Sequence, residues 1–135
     1  MTPAAKANIQ LTTPLLIALV TLKGYEESTH HGKKLYIKDL SEYLVVLQQN
    51  GIDISRIAIS GLPGNYWSDD VARFVGEGIV IGDIKHKSPL EITDECKDGC
   101  LVAIYDRVKN KAELKPLIEQ ASRILKLNLA LPAIP

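Results

Sequence analysis

Cys96 and Cys100 stand four residues apart, and on a helix that spacing puts both thiols on one face. With His30-His31 they supply the residue types of a zinc site. The spacing argues against one, because paired zinc-binding cysteines usually sit two residues apart, and Gly99 weakens the helix that would align these. No metal is expected, and the cysteines read as small buried hydrophobes. Asp69 and Asp70 are adjacent carboxylates. Neighbouring residues on a helix point about 100° apart, so the two cannot easily converge on one substrate atom as general acid–base work requires. They fit better as acids at the positive end of a helix dipole. Gly61-x-x-Gly64 lacks the Lys-Ser or Lys-Thr of a phosphate loop. No Ser, Cys or Thr stands in a recognisable nucleophile motif. Neither catalysis nor a cofactor is expected.

What remains is suited to binding. Tyr66 and Trp67 form an aromatic pair that could anchor a partner, since Trp buries a large area and keeps a polar handle; a core anchor is the competing reading. Lys85-His86-Lys87 is a tight cationic run beside a turn, suited to phosphate. Arg73 is the one residue near it on a helix that could read a guanine edge.

The elements that must position these groups follow from periodicity. Met1 to Leu11 reads as a flexible N-terminal arm. Thr13-Pro14 opens a helix, a hydroxyl N-cap followed by Pro at the first position, running through Leu15–Leu22 and stopped by Gly24. Its apolar stretch is far short of the ~20 residues a membrane span needs, and no cleavage site follows it. No membrane partner is expected, and the location should be cytoplasmic with the cysteines as thiols. Tyr25 to Lys34 reads as a loop. A second helix covers Ile37 to Asn50 on the stripe Leu40, Tyr43, Leu44 and Leu47. Alternation over Ile57–Ser60 suggests a strand, and Gly61–Asn65 a turn. Ser68 caps a third helix with Val71, Phe74 and Val75 inward, closed by Gly76 and Gly78. Ile79–Ile84 and Leu90–Ile92 read as a hairpin around a turn at residues 85–89. Two further helices follow, divided at Asn110. Residues 129–135 form a tail, leaving 12–128 as one domain.

Composition agrees. The 135 residues are 46% hydrophobic and 24% charged, enough to build one core. Lys plus Arg balance Asp plus Glu at 16 each, so any attraction to nucleic acid must be local.

This α+β order resembles a winged helix, with an extra strand between the second and third helices and additional C-terminal helices. Glu77-Gly78-Ile79-Val80 looks like the step from a recognition helix into the wing. Leu90-Glu91-Ile92-Thr93-Asp94-Glu95 resembles the exit from the wing. Gly64-Asn65-Tyr66-Trp67-Ser68 is similar to the Gly-Pro-Tyr-Ser stretch of antitoxin-like winged helices related to the Panacea domain, which also insert a strand before the third helix. The likeness spans Ile37 to Asp94. Pro63 precedes Gly64 here instead of following it, and Trp67 interrupts the motif before the serine.

The resemblance implies a regulatory protein, in one of two ways. As a transcription regulator or antitoxin-like DNA binder, the chain would lay Ser68–Glu77 in the major groove of double-stranded DNA, Arg73 reading a base and Lys85, His86 and Lys87 on phosphate. Against this, Asp69, Asp70 and Glu77 outweigh Arg73 on that helix, one plus and three minus making −2. As a protein-interaction module without DNA binding, it would use Tyr66 and Trp67. A homodimer is expected in either case, built on apolar residues after Leu125.

Overall fold

The computed structural model describes residues 10–129. Five helices and one hairpin make an α+β arrangement: α1 (Thr13–His31), α2 (Ile37–Gln49), α3 (Asp69–Ile81), β1 (Ile84–Lys87), β2 (Leu90–Ile92), α4 (Asp94–Asn110) and α5 (Leu114–Leu125). α1 is the central helix. It packs on α2, α3, α4, α5 and β2. Leu15, Leu16, Leu19, Val20 and Leu22 are all buried, as its all-round apolar sequence predicts.

α1 does not stop at Gly24. It runs about two turns further, to Gly32, which takes the left-handed conformation at φ 64°. Gly24 is instead a point of close packing: a Cβ there would lie 2.7 Å from Leu40 Cδ2 and 3.1 Å from Leu35 Cδ1. The polar stretch expected as a loop is the helix's outer end. It is held by Lys23–Glu27 at 2.8 Å and by the Tyr25 hydroxyl on Asp94 of α4.

α3 also outruns its expected end. Gly76 and Gly78 lie inside it, and Gly82 ends it at φ 87°. Gly78 is small because Ile84 packs on it, 2.9 Å from where a Cβ would stand. Ile79–Ile81 is therefore helix, not strand, and the step read at Glu77–Val80 lies within α3. The hairpin starts later, so Lys85, His86 and Lys87 form β1 itself and only Ser88-Pro89 turns. Ile84 pairs with Ile92 and Lys87 with Leu90, and Leu35, between α1 and α2, adds an antiparallel bridge to Leu90.

The strand expected over Ile57–Ser60 does not form. Its backbone makes a turn at Ile54–Ile57 and a single bridge, Ser60 to Trp67. Ile57 is buried and Ile59 half-buried without a ladder. Alternation here records which side chains plug the core, and among the described residues no neighbouring strand pairs with it. Phe74, expected to face inward, is only partly buried against the core.

Both expected tails are tied down where they are described. Leu11 is buried, and Gln10 bonds Asp53 and accepts from Arg56 Nε at 3.1 Å. Leu127 and Leu129 pack against the chain's own core. Residues 1–9 and 130–135, including Leu131 and Ile134, lie outside the described residues. Among the described residues, no helix is long and apolar enough to cross a membrane.

Candidate functional site

Ser68 caps α3 as its residue type predicts, its hydroxyl accepting from Val71 N at 3.3 Å. Its own N–H donates to the buried Ser41 hydroxyl of α2 at 3.0 Å. That bond fixes the residues just before α3. Trp67 lies alongside Ser60 through two backbone bonds of 2.9 Å, and its indole N–H donates to Asp69 at 3.1 Å. With both ends held, Trp67 stays 40% exposed, so it anchors no core.

Trp67 and Tyr66 meet Tyr36, Lys38, Asn65 and Ser88 around an open hollow of about 380 Å³. The hollow joins three segments distant in sequence: the start of α2, the loop before α3, and the hairpin turn. The Leu35–Leu90 bridge brings the first and third together. Tyr36 is the N-cap of α2, where its backbone N–H donates to Asp39 at 2.8 Å. Lys38 stands 6.0 Å from the Tyr36 ring centre and has no ion-pair partner among the described residues. Three of the chain's seven aromatic side chains (one Trp, five Tyr, one Phe) thus share one small surface with the Lys38 cation. Tyr66 and Trp67 were legible as a pair. Tyr36 and Lys38 were missed, because nothing local reveals that Leu35 bridges Leu90.

The residues expected to meet DNA do not converge on this hollow. Arg73 projects from α3 beside Asp70, 3.8 Å away, and lines a separate groove. Lys85 faces Glu91 across the hairpin at 3.7 Å, which offsets part of its charge. His86 is exposed on β1. Lys87 contributes its backbone opposite Leu90, and its side chain lies outside the described ones.

Cys96 and Cys100 are free, buried and on one face of α4. A hydrogen bond between the thiols lowers the Cys96 pKa and raises that of Cys100, which burial pushes higher still. His30 and His31 lie at the far end of α1 and do not join them. Among the described residues, no three His, Cys, Asp or Glu side chains group as metal ligands.

Compared with known proteins, the chain matches no family model, no curated protein and no solved structure.

Proposed function

We propose that this chain is a protein-interaction module on a winged-helix scaffold, and that the hollow around Trp67 receives an acidic segment of a partner protein. The single observation that carries the reading is the convergence of Tyr36, Tyr66 and Trp67 with Lys38 around one hollow. Trp and Tyr are the side chains that dominate protein interfaces, and a hollow lets them bury area on a partner. Lys38 favours a carboxylate at its edge. The scaffold reading is supported by element order: α1, a bridging residue at Leu35, α2, α3, then a hairpin whose second strand takes that bridge. No catalytic role or cofactor is part of this proposal.

The test uses the chain's only tryptophan as its reporter. A displayed library of random peptides is selected on the wild-type protein and on Trp67→Ala. Enrichment of acidic, aromatic-containing peptides on the wild type alone is expected, with a shift in Trp67 emission on titration. Equal enrichment on both proteins would overturn the reading.

A second reading, DNA binding as a regulator or antitoxin-like protein, is favoured by one observation: exposed His86 and Lys85 on the hairpin. It requires duplex DNA to bind at low salt. Removing Lys85 and Lys87 would then lower the salt slope by about two units, and Arg73→Ala would cost about 1–3 kcal/mol at one base pair. The acidic α3 weighs against it, and no detectable binding of random duplex DNA at low salt is the expected result.

A further inference from the structure

We propose that the groove between α1, α3 and α4, on the Arg73 side of α3, binds a small organic cation with an apolar body. The groove holds about 350 Å³, within the range of small-molecule pockets. Its lining includes Pro14, Ile17 and Ala18 of α1, Phe74 of α3, and Cys100 and Ala103 of α4. None of these carries a charge, so they suit an apolar body.

The charges on the groove's walls set the sign of its ligand. Asp70, Glu77 and Asp83 stand there with Arg73, three minus and one plus making −2. Arg73 is already engaged by Asp70 at 3.8 Å. Glu77 and Asp83 have no ion-pair partner among the described residues. Two uncompensated carboxylates beside apolar walls favour one positive charge and disfavour an anion. Phe74, the chain's only phenylalanine, is partly buried yet lines the groove, and an aromatic ring adds attraction for a quaternary cation. The groove shares no lining residue with the hollow around Trp67, so the proposal does not depend on the one above.

The probe is tetraphenylphosphonium, with neutral triphenylphosphine oxide as comparator, titrated calorimetrically into the full chain. Binding of the cation with a Kd on the order of 10–100 µM is expected, and much weaker binding of the oxide. Glu77→Gln with Asp83→Asn should raise the Kd about tenfold. Ala103→Trp, at the exposed wall, should abolish binding while leaving the thermal melt unchanged. Equal affinity for cation and oxide, or binding indifferent to Ala103→Trp, would overturn the proposal. So would sedimentation as a dimer that binds no cation, since the groove would then belong to a second copy.

Discussion

The buried hydroxyl of Ser41 accepts a hydrogen bond from Ser68 N at 3.0 Å while donating its own proton to Ile37 O at 2.8 Å. One side chain on α2 thereby satisfies the first residue of the α3 cap and sets where Trp67 leaves the surface. Ser41→Ala strands a buried N–H, and a loss of about 1–3 kcal/mol is expected in urea melts. Because Trp67 directly precedes Ser68, its emission should also shift in the folded variant. An unchanged spectrum would mean that the Ser60 bridge alone positions the indole.

Two helical glycines should respond to alanine with opposite signs. In general such a change gains about 0.5–1 kcal/mol, because alanine loses less backbone freedom on folding. Gly76 has nothing within 4 Å of its missing Cβ, so Gly76→Ala should show that gain. At Gly24 the Cβ would meet Leu40, itself buried, at 2.7 Å. Overpacking there should outweigh the propensity gain, with a net loss of about 1–2 kcal/mol. Paired thermal melts check both, and stabilisation by Gly24→Ala would show that Leu40 gives way freely.

Glu27 gives the fold a defined acid sensitivity. The hydrogen bond from Lys23, at 2.8 Å, holds its carboxyl below the usual range, with help from His31 and Lys33 against a burial penalty. The folded chain therefore takes up this proton at lower pH than the unfolded chain does. Its contribution is complete above the ordinary glutamate value of about 4.3 and is lost as pH falls through the lowered one. Lys23→Met should flatten the decline in unfolding free energy between neutral and acid pH. An identical decline in both proteins would show that other carboxylates account for it.

The sequence was most legible where one helix's periodicity decided the matter. The core stripe of α2, the Ser68 cap and the division at Asn110 all follow from local rules. It misled wherever a glycine had a tertiary reason. Gly24 and Gly78 signal helix ends by composition, yet each is a contact that only the packed partners, Leu40 and Ile84, explain. The candidate site was half legible for the same reason. Tyr66 and Trp67 stand together in the chain, whereas Tyr36 and Lys38 join them through a bridge between residues 55 apart, Leu35 and Leu90. At the apolar end, Leu127 and Leu129 pack partly against this chain's own core, a contact that depends on the folded partners and is invisible in the local pattern.

Thr21 presents a buried hydroxyl with no hydrogen-bond partner among the described residues. It sits on α1 with no exposed surface, between Val20 and Leu22, in the most apolar stretch of the chain. A helical threonine usually returns its proton to a carbonyl one turn back, and an unmade bond in such surroundings costs about 1–3 kcal/mol. Valine has nearly the same shape and no polar atom. Thr21→Val should therefore raise stability by about 1 kcal/mol or more, against the usual loss for a core change. The measurement is the urea midpoint at constant m-value. A lower midpoint would mean that the hydroxyl finds a partner in solution, such as an internal water, and that the centre of α1 is less dry than its neighbours imply.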